Sequence, residues 1–251
     1  MRIKSLLISA LLLSSITRGF GFQKPDGRRN SDSGTTLSAA TSASENNAID
    51  VARAALASEG GDKFRNLKSL YLLGSVELYS GSKSTGFTSG QFAIVQAGDR
   101  ARTDIETPDV SYREIYDGKR SYSTLNPASV APPAKFGLSV LGHYDQAGYT
   151  ITGLPDERKL HGFRITDQDG NFTDFYADPT TGRVMEFSFT YNNIKFSTEF
   201  KSFKEVDGVL VPISFMKKYQ LPRVDIYLEL KVKDVKINQP VGDDVFTIPK
   251  R

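Results

Sequence analysis

Residues 185–201 read MEFSFTYNNIKFSTEFK, and this stretch decides the fold. Asn192-Asn193 at its centre can accept the positive φ values of a two-residue hairpin turn. Pairing outward from that turn sets Tyr191 opposite Ile194, Phe189 opposite Phe196, Phe187 opposite Thr198 and Met185 opposite Phe200. Apart from Thr198, every member of these pairs is apolar, and all share one face. The other face carries Glu186, Ser188 and Thr190 against Lys195, Ser197, Glu199 and Lys201. A register in which turn chemistry and alternation agree marks an antiparallel pair with one buried and one wet face.

The same period of two runs in both directions along the chain. Leu70, Leu72, Val76 and Leu78 share one parity with Gly74 among them, and Phe92 and Ile94 follow suit. Shorter strands fit residues 100–106, 111–116 and 120–125, with Asp117-Gly118 as a turn, and 127–133 reads as a loop. Residues 138–144 fit a single helical turn. Strands resume at 149–153, 159–167 and 172–177. Val224, Ile226, Leu228, Leu230 and Val232 alternate with Asp225, Glu229 and Lys231. The parity then slips to Val235 and Ile237, which predicts a bulge near Lys233-Asp234.

One helix stands out among these strands. Asn47 is placed to cap it, Asp50 sits in its first turn, and Gly60-Gly61 stops it. Its apolar stripe, Ala48, Val51, Ala52, Ala55 and Leu56, follows helical spacing but is built mostly of small residues. About ten or eleven strands with one apolar face need a cover larger than this helix. The expected class is therefore mainly β, a curved antiparallel sheet with helix on its concave side. Such a sheet either encloses a cavity or fills it with its own Phe and Leu side chains. Periodicity alone slightly favours the filled version.

The N-terminus bears on location. Arg2 and Lys4 precede a short apolar run at residues 5–16, SLLISALLLSSI, and Gly19-Phe20-Gly21 offers small residues at −3 and −1 of a cleavage site. This is the layout of a secretory signal peptide over residues 1–21, the run being short for a bilayer span; a retained N-terminal anchor is the alternative. Residues 22–46 are rich in Ser, Thr, Ala, Gly and Asn and read as a disordered linker. Residues 47–251 then form one domain, soluble and periplasmic or extracellular.

The formal net charge of +3 comes from the leader. Removing Arg2, Lys4 and Arg18 from 32 Lys and Arg leaves 29, against 29 Asp and Glu. A balanced chain does not suit a nucleic-acid partner. With no Cys, an exported chain has no disulfide, no lipid-modified N-terminal cysteine and no thiol chemistry.

Catalytic and metal motifs are absent from the sequence. Gly81 and Gly86 have P-loop spacing, but Phe87-Thr88 stands where Lys-Ser/Thr is required. Asp167, Asp169 and Asn171 imitate the start of a calcium loop, but Phe172 replaces its glycine, so a hairpin turn is expected. His143 and His161 lie too far apart in sequence for a helical metal motif and read as surface or loop residues. The expectation is no enzyme, no cofactor and no metal.

Five segments together resemble the LolA/LolB-like superfamily. They are residues 55–76, ALASEGGDKFRNLKSLYLLGSV; Tyr116-Asp117-Gly118; residues 175–183, FYADPTTGR; residues 203–212, FKEVDGVLVP; and residues 238–249, NQPVGDDVFTIP. The resemblance implies an open half-barrel sheet whose concave side is plugged by helices. It implies, as function, an exported soluble carrier or binder of lipid or acylated lipoprotein cargo in the cell envelope, with peripheral membrane contact. The other reading is a non-enzymatic envelope sensor or protein-interaction module with a filled core and a protein partner. Leu72, Phe92, Phe187, Phe189, Phe196, Phe200, Leu228 and Leu230 are expected to face the concave side with the helix over residues 48–56, as the hydrophobic ligand site.

Overall fold

The computed structural model describes residues 34–125 and 130–250, with side chains from Asn47 onward. The expected signal peptide and the first part of the expected linker lie outside these residues. Two helices, α1 (Gly34–Glu59) and α2 (Asp62–Arg65), precede twelve strands. These are β1 (Ser69–Ser80), β2 (Thr88–Ala97), β3 (Arg100–Glu106), β4 (Ser111–Tyr116), β5 (Ser121–Ser123), β6 (Thr150–Glu157), β7 (Leu160–Thr166), β8 (Phe172–Ala177), β9 (Val184–Tyr191), β10 (Ile194–Val206), β11 (Val209–Gln220) and β12 (Asp225–Ile237).

All twelve form one open antiparallel sheet in the order β5-β4-β3-β2-β1-β12-β11-β10-β9-β8-β7-β6. Two meanders, β1–β5 and β6–β12, thus meet where β1 pairs with β12. The strand missing from the sequence reading is β11. Its run VLVPISFMKKYQ carries a proline and a lysine pair that break the alternation, yet it is long and pairs on both sides.

The hairpin register is as read. Tyr191 pairs with Ile194, Phe189 with Phe196 and Phe187 with Thr198, and Asn192 and Asn193 take φ of 49° and 61°. The ladder ends at Glu186–Glu199, so Met185 and Phe200 do not pair; the β10–β11 register shifts at Phe200 and bends the strand there. The expected bulge is also present. Leu73 pairs with Asp234 and Gly74 with Val232, which leaves Lys233 extra. At Gly74 a Cβ would lie 2.1 Å from the Lys231 carbonyl oxygen, so only glycine fits where the two strands close up.

Helix α1 starts earlier than Asn47. The helix continues back to Gly34, since residues 35–46 contain neither Gly nor Pro to stop it; that part of the expected linker is helical. Its C-terminus ends as read: the Gly61 N–H donates to the Leu56 carbonyl at 2.8 Å and the Gly60 N–H to Ala57 at 3.2 Å, a Schellman motif. Small residues let α1 approach closely. A Cβ on Gly182, in the β8–β9 turn, would lie 2.8 Å from the Ala54 carbonyl oxygen. Ala52 and Ala55 are 0 % exposed and pack with Phe163, Ile165 and Phe175 in one core.

The convex face is not uniformly wet. Phe246, in a short 3-10 turn (Asp243–Phe246), packs with Val95 and Ile115 over β2 and β4, giving a second, smaller apolar cluster. The turn at Asp167 is a hairpin turn. Its carboxylate accepts the N–H groups of Asp169 and Asn171, both at 2.9 Å, so those oxygens close the loop.

Candidate functional site

Where α1 does not reach, the concave face is hollow. A cavity of about 570 Å³ lies over the strands on either side of the β1–β12 junction. Two elements arch over it: α2, through Phe64 and Arg65, and residues 131–143, which include a 3-10 turn (Leu138–His143). This roof is tied down at several points. The Gly137 N–H donates to Thr173 Oγ1 at 3.2 Å, Lys135 pairs with Asp169 at 2.6 Å, and Arg65 pairs with Asp145 at 2.7 Å.

Of the eight residues expected to line the concave side, Leu72, Phe187, Phe189, Phe196 and Phe200 line this cavity. Phe92, Leu228 and Leu230 face the same side but are buried in the packed core beneath. The helix over residues 48–56 does not line the cavity. Its side chains are committed to the β6–β7 end of the sheet, where α1 makes most of its contacts.

The hairpin supplies the cavity's aromatic wall. Phe189 stacks on Phe196 with ring centroids 4.9 Å apart, and Phe136 of the roof stacks on Phe189 at 4.9 Å. Phe196 meets Tyr219 edge-on at 5.2 Å, and Phe200 meets Phe215 at 6.2 Å. Offset and edge-to-face contacts of this kind hold rings in fixed positions while leaving a face free. Phe136, Phe215 and Tyr219 were not singled out from the sequence. The last two come with the overlooked β11; Phe136 lies in a loop, where no periodicity announces it.

Three polar side chains stand within this apolar wall. Glu114 comes from β4, and Lys217 and Tyr219 from β11. All three are half-buried and line the cavity. Glu114 accepts a hydrogen bond from the Tyr112 hydroxyl of its own strand. Burial pushes the Glu114 carboxyl up against the opposing pull of Lys217 and Tyr112. Burial pushes the Lys217 ammonium down, with Glu114 acting the other way, and raises the Tyr219 hydroxyl well above its ordinary value. The exposed Lys68 and Asp99 lie at the rim. His143 also lines the cavity; its ring stacks on Tyr149 and its Nδ1 lies 3.1 Å from Gln146 Oε1. His161 does not line the cavity and contacts Asp156 at 2.9 Å.

No protein-family model matches this sequence, and no curated protein matches it. Solved structures with a similar fold include a LolA superfamily protein from Nitrosomonas europaea. It is 12% identical, with 80% of this chain and 97% of that chain covered and a TM-score of 0.48. An outer membrane lipoprotein-sorting protein domain from Vibrio parahaemolyticus is 10% identical, with coverage of 80% and 97% and a TM-score of 0.47. A DUF1329 family protein from Desulfovibrio piger is 12% identical, with coverage of 81% and 97% and a TM-score of 0.46. These are likenesses of fold alone. Among the described residues, no helix is long and apolar enough to cross a membrane.

Proposed function

We propose that this chain is an exported, non-enzymatic binding protein that carries lipid or acylated cargo in the cell envelope. The observation that carries this reading is the hollow, aromatic-walled cavity of about 570 Å³ on the concave face. Its size falls within the roughly 300–1,000 Å³ range of small-molecule sites. Acyl chains suit such a wall: apolar area removed from water contributes roughly 25 cal/mol per Å², before the costs of association. Export is supported by the charged start, the short apolar run and the small residues at 19–21. The alternative role, an envelope sensor or interaction module with a filled core, requires a packed concave face, and the cavity counts against it.

The test is lipid mass spectrometry on protein purified from its own envelope, together with displacement of a fluorescent fatty acid from purified protein. Co-purifying lipid and saturable displacement are expected. Absence of both would overturn the carrier reading in favour of an interaction module. N-terminal sequencing of the native protein is expected to begin near Phe22; an intact Met1 would overturn cleavage.

A further inference from the structure

The cavity reading leaves one side chain without a structural reason. Lys217 shares its inward parity on β11 with Phe215 and Tyr219, and its cross-strand neighbours are the buried Leu228 and Thr198. Among the described residues its ammonium has no hydrogen-bond or ion-pair partner. The carboxylate that acts on it is Glu114, which is held by the Tyr112 hydroxyl. Lys217 is half-buried, and a cation set among apolar side chains is costly unless it is paired. A methionine would fill the same space without that cost, so packing does not account for the charge.

Cations outnumber carboxylates in the lining. Arg65, Lys68, Lys217 and Lys218 face Asp99 and Glu114, four cations against two carboxylates. Arg65 is paired with Asp145 and Lys218 with Asp225, which leaves Lys68 and Asp99 at the rim and, within the aromatic wall, Lys217 as the cation with Glu114 as the carboxylate that acts on it.

Building on the carrier reading, we propose that the cavity selects acyl amphipaths with an anionic head group, a carboxylate or a phosphate, and that Lys217 receives that charge. The acyl chain lies along Phe187, Phe189, Phe196 and Phe200, and the anion accepts a charge-assisted hydrogen bond from the ammonium. The anion restores to Lys217 the partner that burial withholds. A chain attached to a protein through an ester or amide, with no carboxylate or phosphate beside it, brings no charge to this point, so the inference separates anionic lipids from acylated protein as cargo.

The test compares oleate, oleoyl lysophosphatidic acid and methyl oleate on the purified full chain. At least one of the two anions is expected to bind at least tenfold more tightly than methyl oleate, and the tighter of the two identifies the head group. Lys217→Met should remove that preference, read as the ratio of anion to methyl oleate affinity; Lys217→Arg should keep it. Should Lys217→Met fail to fold, Lys217→Gln removes the charge while keeping a polar end. Equal binding of oleate, oleoyl lysophosphatidic acid and methyl oleate by the unaltered chain, or an anion preference that survives in the uncharged variants, would overturn this inference and leave the carrier reading standing. Failure of all three lipids to bind would overturn both.

Discussion

The concave face of this sheet is solid at one end and hollow at the other, although the strands at both ends carry inward aromatics. At the β6–β7 end, α1 packs in one core with Phe163 and Phe175, both 0 % exposed, and Ala48, Ala52 and Ala55 bring the helix close to the sheet. Around the β1–β12 junction, Phe189 and Tyr219 are covered only by the four-residue α2 and the strapped roof over residues 131–143. A long helix packs continuously along a strand surface, whereas short arches touch it at points. The cover therefore decides whether the same alternating strands make core or cavity.

The largest expected effect is at the solid end. Ala52→Phe inserts a ring where the residue is 0 % exposed between helix and sheet, and the variant should not fold, as read by the loss of a cooperative thermal transition. A stable fold would mean that α1 is not seated on the sheet. Truncating rings at the two ends sharpens the contrast. Phe175→Ala should cost about 3–5 kcal/mol in denaturant unfolding. Phe189→Ala should cost only about 1–2 kcal/mol, since its ring is partly buried and loses mainly aromatic contacts. Equal losses would mean that the cavity is closed up in solution.

The two ends also titrate differently. Glu59, the last residue of α1, is 0 % exposed. Its Oε1 accepts the Val184 N–H at 3.3 Å, and its Oε2 has no partner among the described residues. Burial pushes its carboxyl from 4.5 up to about 7, against that hydrogen bond and the charge of Arg183. Between these values the folded chain holds a proton that the unfolded chain has released, so stability falls as pH rises through this window. The loss is complete above the folded value and amounts to roughly 3 kcal/mol. Urea unfolding at pH 5 and pH 8 should show this slope, and Glu59→Gln should flatten it. An unchanged slope in the variant would assign the pH dependence elsewhere.

The smallest expected effect lies in the hollow end and mirrors the first. Ala101, on β3, lines the cavity, and Ala101→Phe has space to enter. Stability should change by less than about 1 kcal/mol, while fluorescent fatty-acid binding weakens severalfold. A collapse of stability like that at Ala52 would show that this part of the concave face is packed in solution.

Much of this molecule was legible residue by residue. The Asn192-Asn193 turn, the Phe189–Phe196 pair and the bulge at Lys233 all follow from period-two alternation and turn chemistry, which act over a few residues. The β11 strand escaped because Pro212 and the lysine pair disturb that alternation, and Phe215, Lys217 and Tyr219 escaped with it. Five of the eight concave-side residues line the cavity and three lie in the packed core; parity alone cannot separate these fates, because it reports the face and not what covers it.

By itself, then, the sequence determined the strand pairs, the turns, the bulge and the sidedness of the sheet, since each depends on near neighbours and on hydrophobic period. Only the tertiary structure decided that α1 fills one end and leaves the other open, and that Glu114 and Lys217, from strands far apart in the sheet, act on each other electrostatically. Curvature accumulates over many strands and cover is set by where a distant helix docks, so neither is written in any local stretch of residues.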